Sequence, residues 1–273
     1  MYKRQILALS TPPSPAERFI RASLLPNLCR AVAKNERYYG DFAIFETAQV
    51  FRDENYTAPY DEREKLPSQR KNVAGAFVSA GKDVTGLFRR AKGVVEMMPR
   101  YTHMEPYSFR QVSKPVWADE VVWLNIYLGE EYIGDLALLS KRVSMACGIK
   151  NVNVMLFQLD QDALIPLRSR TNSFRHLAEY PMTDYDISLL LDGQVKWADV
   201  AQTIGGIKNP LLHGAAFVDE YRGKQVPEGK KSLTARLTIG SAEKTLTSAE
   251  IEEVANSVLK KLAKRFGAEL RSR

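Results

Sequence analysis

The C-terminal part of the chain alternates strand-like and helix-like segments, and their order constrains the fold more than any other feature of the sequence. Alternating apolar residues predict strands at 186–192, 215–221 and 231–239, and helical periodicity predicts helices at 196–206 and 248–267. A short strand-like segment, AELR, follows the second helix. The order β-α-β-β-α-β is that of the split βαβ motif. We therefore predict a ferredoxin-like domain, with two helices on one face of a four-stranded antiparallel sheet.

The helix predicted at 248–267 has the clearest terminus signals in the chain. Thr247 and Glu250 match the S/T-x-x-E capping box, in which each side chain accepts a hydrogen bond from the other residue's backbone N–H. Acidic residues are concentrated in its first turns and basic residues in its last turns, which suits the helix dipole. The apolar spacing predicts a buried stripe of Ile251, Val254, Val258, Leu262 and Phe266.

The N-terminal part of the chain has the pattern of a larger α+β unit. Helices are predicted at 85–98 and at 23–39, the latter with Ser23 as N-cap and Gly40 as its stop. A polar segment interrupted by prolines, 56–71, predicts a loop. Strands are predicted at 42–51, 72–81, 107–113, 121–129, 131–139 and 153–164.

The length of 273 residues suits one large domain or two ordinary ones. The segment 164–181 is polar and basic and holds two prolines, which is typical of a linker. The order of elements also changes after it. We therefore predict two domains, residues 1–166 and residues 167–273.

The net charge and the cysteine content exclude few classes of protein. Lys and Arg total 39 and Asp and Glu total 32, and the resulting net charge of +7 is compatible with a polyanionic partner without requiring one. Cys29 and Cys147 are far apart in sequence and lie in apolar segments, which predicts buried, reduced thiols. No apolar run approaches the roughly 18 residues of a membrane helix. We expect no membrane association and a cytoplasmic location.

Groups that could perform catalysis are scarce. The three histidines, His103, His176 and His213, lack the spacing and carboxylate neighbours typical of a metal site. The carboxylates form no recognisable acid–base pair, and no G-x-S-x-G, dinucleotide-binding or C-x-x-C motif occurs. We therefore predict no catalytic residue, no metal site and no cofactor site in this chain.

A polar loop flanked by basic residues joins the second and third strands of the predicted ferredoxin-like domain. Five residues separate Gly223 from Gly229, and no hydroxyl residue follows the Gly-Lys pair, so the loop fails the P-loop pattern. Between 222 and 236, five basic residues face one acidic residue, Glu228. Such a cluster is typical of a surface that neutralises phosphates. A simple solvated hairpin explains it equally well, and composition does not decide between them.

Aromatic residues near this loop are candidates for stacking on RNA bases. Phe217 and Tyr221 have the same parity on the predicted strand, so we expect them on one face of the sheet. We expect Phe217 to lie in the core. Tyr221, at the strand's end beside Arg222, fits a core role and a binding role equally.

Four stretches of the sequence resemble bacterial phenylalanyl-tRNA synthetase β subunits. The first three are FIRASLLPNLCRAVAKNERYYGDFAIFETAQVFRDE, LFRRAKGVVEMM and LNIYLGEEYIGDLALLSKRVSMACGIKNVNVMLFQLDQDAL. The longest and most specific is FVDEYRGKQVPEGKKSLTARLTIGSAEKTLTSAEIEEVANSVLKKLAKRFGAELR, which is similar to the family's anticodon-binding domain.

The resemblance implies an α+β protein in which a catalytically silent, class II synthetase-like antiparallel sheet module (1–166) precedes a ferredoxin-like βαββαβ anticodon-binding domain (167–273). It implies an α2β2 enzyme that uses ATP and Mg²⁺, with the aminoacylation site on the α subunit. The implied partners are that subunit and phenylalanine tRNA. It also favours RNA contact for the polar loop. The implied tRNA-binding residues are Tyr221, Arg222, Lys224, Lys230, Lys231, Ser232, Arg236 and Arg271.

The sequence differs from the family pattern at several positions, and these differences change what we expect of the residues there. Arg52 stands where an active module has an ATP-binding arginine, but the glycine-rich, arginine-bearing third motif is absent from 100–165, so we expect a structural role for Arg52. Asp184 and Tyr185 replace basic positions of the family. The family's preceding domains are also absent, so we expect a fragment whose module is incomplete at its N-terminus. The alternatives are a non-enzymatic RNA-binding or assembly scaffold and an independent ligase.

Overall fold

The computed structural model describes residues 7–15, 18–55, 67–167, 169 and 179–271, with the backbone only for 52–55, 67 and 68. The chain divides into two compact units, Met1–Asn172 (unit 1) and Ser173–Arg273 (unit 2). No helix in the described part of the chain has the length and apolar content needed to cross a bilayer. Most of the predicted loop 56–71 and linker 164–181 lies outside the described residues, as do His176 and the Arg52 side chain.

The described residues of unit 1 form a six-stranded antiparallel sheet and three helices. The strands are β1 (Asp41–Asn55), β2 (Pro67–Ser79), β3 (Ser108–Arg110), β4 (Ala118–Leu128), β5 (Glu131–Leu139) and β6 (Asn153–Asp160). The helices are α1 (Leu25–Asn35), α2 (Val84–Tyr101) and α3 (Lys141–Ala146). The strand order is β1-β2-β6-β5-β4-β3, and every described pairing is antiparallel.

The two faces of this sheet pack against different helices. Because successive residues of a strand point to opposite faces, β2 and β6 each contribute to two cores. The core under α1 contains Ala74, Ala76, Val78, Val154 and Leu156 of the sheet and Leu25, Leu28 and Val32 of the helix. The core under α2 contains Phe77, Met155, Phe157 and Leu159 of the sheet and Leu87, Ala91 and Val95 of the helix.

Local details of unit 1 differ from the sequence predictions. The N-cap of α1 is Leu24, so Ser23 is not the cap, and its hydroxyl donates instead to Gln158 Oε1 at 2.8 Å. The strand predicted at 153–164 ends at Asp160, because the following residues form turns. Helix α3 was not predicted, since six residues are too few to show helical periodicity.

Helices α1 and α3 bring the two cysteines together. Cys147, directly after α3, is a neighbour of the Cys29 thiol; Cys29 is in the core under α1 and Cys147 packs against it. Both thiols were predicted to be buried, but only Cys29 is, since Cys147 is partly exposed. Burial, reinforced by the neighbouring Cys147, raises the pKa of Cys29 to about 12. Cys29 is therefore protonated at neutral pH and a poor nucleophile.

We expect iodoacetamide to modify Cys147 well before Cys29 in the native chain. The thiolate is the reactive form, and Cys29 is both buried and protonated, whereas Cys147 is partly exposed. Timed alkylation followed by peptide mass spectrometry should show Cys29 reacting at least about tenfold more slowly. In urea the two rates should converge. Equal rates in the native chain would contradict the protected state of Cys29.

Within the described part of unit 2, the chain forms four strands and two helices. The strands are β7 (Thr183–Asp192), β8 (Leu212–Tyr221), β9 (Lys230–Ile239) and β10 (Glu269–Leu270), and the helices are α4 (Trp197–Gly205) and α5 (Ser248–Phe266). The order β10-β7-β9-β8 is fully antiparallel. Both helices contribute to one core with one face of the sheet, as the predicted ferredoxin-like fold requires.

Helix α5 has the termini that its sequence predicts. The capping box is present, with Thr247 N donating to Glu250 Oε2 at 2.8 Å. Hydrogen bonds from Lys244 and then from Thr247 lower the pKa of Glu250 to about 2. The helix ends at Gly267, whose φ of 63° is the left-handed conformation that glycine favours. The predicted stripe is buried except for Phe266, which is half-buried.

Candidate nucleic-acid interface

The sheet face of unit 2 that points away from α4 and α5 is polar, and we call it the open face. Core residues such as Leu189 and Leu233 alternate along β7 and β9 with residues that point the other way. The described residues place no helix over this side. Ser188 and Thr234 lie opposite each other there, with their hydroxyl oxygens 3.0 Å apart. Other residues of the open face are Asp184, Asp186, Ser232, Arg236 and Thr238.

A β-bulge separates the two aromatic residues that sequence parity placed together. Phe217 lies opposite the buried Ala235, on the helix side, whereas Tyr221 lies opposite Ser232, on the open face. The register shifts just after Phe217, and one extra residue reverses the alternation. The prediction that they share a face is wrong. Phe217 is also not a core residue, because it is 42% exposed and its ring packs edge-on against Trp197 at 5.8 Å.

Tyr221 and Arg271 form a cation–π pair at the open face. The Arg271 guanidinium carbon lies 5.5 Å from the centre of the Tyr221 ring, and Arg271 Nη2 donates to Gln225 Oε1 at 3.0 Å. The Arg271 backbone N–H donates to Ser188 O at 2.9 Å, which fixes the residue beside β7. Tyr221 is 41% exposed. The pair therefore combines an accessible ring, on which a base can stack, with a cation that can meet a phosphate.

Arg236 is held by a carboxylate on the neighbouring strand. Its Nε and Nη2 donate to the two carboxylate oxygens of Asp186 at 2.7 and 2.8 Å. This bidentate pair raises the pKa of Arg236 and lowers the pKa of Asp186. Thr238 Oγ1 donates to Asp184 Oδ1 at 3.1 Å in the same row. The two aspartates therefore reduce the positive charge that Arg236 offers to an anion.

Lys231 and Ser232 are buried, at 4% and 3% exposure. Lys231 Nζ donates to Glu220 Oε2 at 2.7 Å, and Arg222 donates from Nε to Glu220 Oε1 at 2.8 Å and from Nη2 to Gly193 O at 2.9 Å. Burial raises the pKa of Glu220, but these hydrogen bonds outweigh it, and the pKa is lowered overall. Neither buried side chain is placed for direct contact with a large ligand. Lys231 lies opposite Leu191 and Glu220 lies opposite Leu233, so this cluster is on the helix side of the sheet and not on the open face. There Lys231 anchors the carboxylate that orients Arg222.

The hairpin loop between β8 and β9 carries two further cations. Lys230 Nζ lies 3.7 Å from Glu269 Oε1, and its side chain remains accessible. Lys224 is exposed and has no ion pair within the described part of the chain. Gly229 adopts φ of 79°, which permits the turn in which Lys230 N donates to Pro227 O at 3.0 Å. The loop is thus an ordered turn that displays lysines.

Three residues that hold predicted site residues in place were not themselves among the predicted site residues. Asp186 holds Arg236, Glu220 holds Arg222 and Lys231, and Gln225 holds Arg271. Glu220 could have been found by pairing the two strands of the hairpin, which places it opposite Leu233 and next to Lys231. The contact of Gln225 with Arg271 has no local sequence signal.

The fold and this surface define a two-unit α+β protein whose second unit is ferredoxin-like, with a polar open face that bears an aromatic–cation pair. The family model described as "Phenylalanyl tRNA synthetase beta chain CLM domain" matches residues 1–161, and that described as "Ferredoxin-fold anticodon binding domain" matches residues 178–271. The chain therefore belongs to the phenylalanyl-tRNA synthetase β chain family. The predicted resemblance and fold class are confirmed.

Relatives match along nearly the whole chain. The phenylalanine–tRNA ligase β subunit of Oceanobacillus iheyensis is 28% identical over 97% of this chain and 33% of its own length. That of Desulfotalea psychrophila is 26% identical over 99% of this chain and 34% of its own length. The chain thus spans about a third of these relatives. A pyrrolysyl-tRNA synthetase structure from Desulfitobacterium hafniense covers 60% of this chain and 58% of its own, at 14% identity and a TM-score of 0.45, too low to carry an argument.

Proposed function

We propose that this chain acts as part of a phenylalanine–tRNA ligase β subunit and that the open face of unit 2 binds the anticodon region of phenylalanine tRNA. The observation that carries the proposal is the Tyr221–Arg271 pair, which lies on this face within the stretch matched by the anticodon-binding family. An unstacked base can lie on the ring while nearby cations neutralise the backbone.

The predicted binding residues divide into two groups in this proposal. Direct contact at the open face falls to Tyr221, Lys224, Lys230, Arg236 and Arg271. Arg222 is accessible, but it is bound to Glu220 on the helix side of the sheet. Lys231 and Ser232 are buried, so neither is assigned a direct contact in this proposal. Arg236 is the weakest of the cations, since Asp186 already occupies two of its donors.

Unit 1 is proposed to be catalytically silent and to serve the assembly with an α subunit, in the cytoplasm. ATP and Mg²⁺ are then used on that subunit in attaching phenylalanine to tRNA. The boundary after residue 166 remains a prediction. A pull-down with a matching α subunit tests the partner. We expect no ATP–pyrophosphate exchange by this chain alone, and activity that persists in contaminant-free protein would favour the independent ligase.

Affinity for phenylalanine tRNA should fall steeply with salt and depend on Tyr221. If the four accessible cations Lys224, Lys230, Arg236 and Arg271 neutralise phosphates, the log–log slope of affinity against salt should be about −3. Removing a stacking ring costs about 1–3 kcal/mol, so Tyr221→Ala should weaken binding by about 5- to 150-fold. Asp186→Asn should strengthen binding about two- to fivefold, because it releases Arg236. Fluorescence anisotropy with a labelled transcript over a salt series measures all three.

Two controls distinguish RNA binding at the open face from nonspecific attraction of RNA to basic residues elsewhere on unit 2. Lys264→Ala removes one exposed charge from α5, on the other side of the sheet, and should change the affinity less than twofold, or by about 0.4 kcal/mol. A transcript with replaced anticodon-loop bases should lose the Tyr221 effect. If Lys230→Ala and Tyr221→Ala both leave RNA affinity unchanged while an α subunit is still captured, the scaffold alternative replaces this proposal.

A further inference from the structure

Two neighbouring tyrosines just after α1 are exposed, although each carries a large aromatic ring. Tyr38 is 66% exposed and Tyr39 is 60% exposed. Their backbone N–H groups donate to Asn35 O at 2.9 and 3.1 Å, so the turn that displays the two rings is ordered. A single exposed ring is common on protein surfaces, but two adjacent rings on one turn form a patch that packing within unit 1 does not explain.

The two rings belong to a chain of aromatic contacts that ends in the core. The ring centres of Tyr38 and Tyr39 lie 6.5 Å apart, and those of Tyr39 and Phe42 also lie 6.5 Å apart. Phe42 packs against the core under α1. The exposed rings are therefore held in place, and little side-chain entropy is lost when a planar ligand stacks on them.

Three basic residues lead up to this patch, and we call them, together with the two tyrosines, the α1 stripe. Arg30 and Lys34 are exposed and spaced i, i+4 along α1, and Arg37 is exposed and directly precedes Tyr38. In the described part of the chain, none of the three forms an ion pair. The guanidinium carbon of Arg37 lies 4.6 Å from the centre of the Tyr38 ring.

Glu36, the carboxylate within this segment, is engaged by the backbone of another segment. Its oxygens accept from Lys150 N at 3.1 and 3.2 Å and from Asn151 N at 3.1 Å. These two N–H groups hold the carboxylate against the segment that follows α3. The dipole of α1 favours basic residues near its C-terminus, but it does not account for the exposed rings beside them.

We infer that the α1 stripe binds unpaired nucleotides of RNA, as a surface separate from the open face of unit 2. Cations that meet phosphates, next to accessible rings on which bases stack, are the arrangement with which proteins hold single strands. Arg30 and Arg37 are about 10 Å apart along the helix axis at about 1.5 Å per residue, which a stacked strand covers with about three nucleotides at about 3.4 Å each. An RNA strand supplies a phosphate with every base, so one ligand matches both the charge and the rings.

Photo-crosslinking locates the contact. The whole chain is irradiated with a hexauridylate that contains 4-thiouridine, digested with trypsin and analysed by mass spectrometry. We expect a cross-link in the tryptic peptide 38–52, which begins with both tyrosines. It should persist in Tyr221→Ala, because Tyr221 belongs to the open face. A cross-link confined to unit 2 would overturn the inference and leave the proposed function of unit 2 intact.

The affinity of a labelled hexauridylate tests the roles of the residues. Fluorescence anisotropy in the Tyr221→Ala background, which weakens the open face, should give a dissociation constant on the order of 100 µM at low salt. Neutralising three phosphates of a single strand predicts a log–log slope of about −2, and Lys34→Ala should reduce its magnitude by about 0.7. Tyr38→Ala should weaken binding by about fivefold or more, whereas Tyr38→Phe keeps the ring and should change it by less than about twofold.

Tyr101→Ala is the matched control, because it removes an exposed tyrosine at the end of α2. It should leave the affinity for hexauridylate unchanged. Equal losses in Tyr38→Ala and Tyr101→Ala, or an affinity that does not depend on salt, would each overturn the inference. If Tyr38→Ala keeps its RNA affinity and loses capture of an α subunit, the rings belong to a protein contact and the inference is wrong.

Discussion

Gly134→Ala should be among the most destabilising single substitutions in unit 1, whereas Gly93→Ala should stabilise it. A Cβ atom on Gly134 would lie 2.0 Å from Gln158 O and 3.0 Å from Leu159 Cα, both of which belong to the backbone of the neighbouring strand β6. Gly93 lies within α2, and a Cβ there meets nothing within 4 Å. The same chemical change therefore has opposite signs at the two positions.

The expected change in the free energy of unfolding depends on how much of the backbone must shift to admit the new methyl group. Two paired central strands must separate to admit the Gly134→Ala methyl group, and we expect a loss of about 3 kcal/mol or more in the free energy of unfolding. Gly93→Ala should gain about 0.5–1 kcal/mol, because alanine is the better helix former. Urea titration followed by circular dichroism measures both, and hydrogen exchange assigns the change to unit 1. A wild-type urea midpoint for Gly134→Ala would show that β5 and β6 are not paired this closely.

Elements with local signals were predictable from the sequence. Helix α5 was predicted at 248–267 and observed at Ser248–Phe266, because its capping box, charge gradient and apolar stripe all lie within one segment. The strands of unit 2 were found for a similar reason, since alternation along each strand is enough to identify it. Helix α3, which was not predicted, carries too few residues for such a pattern.

Features that depend on pairing between distant segments were not predictable. The bulge after Phe217 is a shift in the register of β8 against β9, and no pattern within β8 predicts it. Lys231, for which the resemblance implies RNA contact, is buried and paired with Glu220 across the hairpin, and no pattern within β9 indicates that burial. Arg271 and Tyr221 were both named from sequence, but only the fold shows that they form a pair.

Glu220→Ala should destabilise unit 2 far more than the loss of an exposed carboxylate would. The Lys231 side chain is 4% exposed, and its Nζ donates to Glu220 Oε2 at 2.7 Å. Removing Glu220 leaves this ammonium group buried without an anion, which costs about 3 kcal/mol or more. Asp219→Ala, at the adjacent and exposed position, is the matched control and should cost less than about 0.5 kcal/mol.

A double-mutant cycle isolates the ion pair itself. Adding Lys231→Met to Glu220→Ala removes the stranded charge and should recover about 2 kcal/mol in the free energy of unfolding. Because the pKa of Glu220 is lowered in the folded state, its contribution is present above the unfolded-state pKa of about 4.3 and is lost as the pH falls further. The difference between wild type and Glu220→Gln should therefore shrink on acidification, and a difference that grew would mean that Glu220 is protonated in the folded chain.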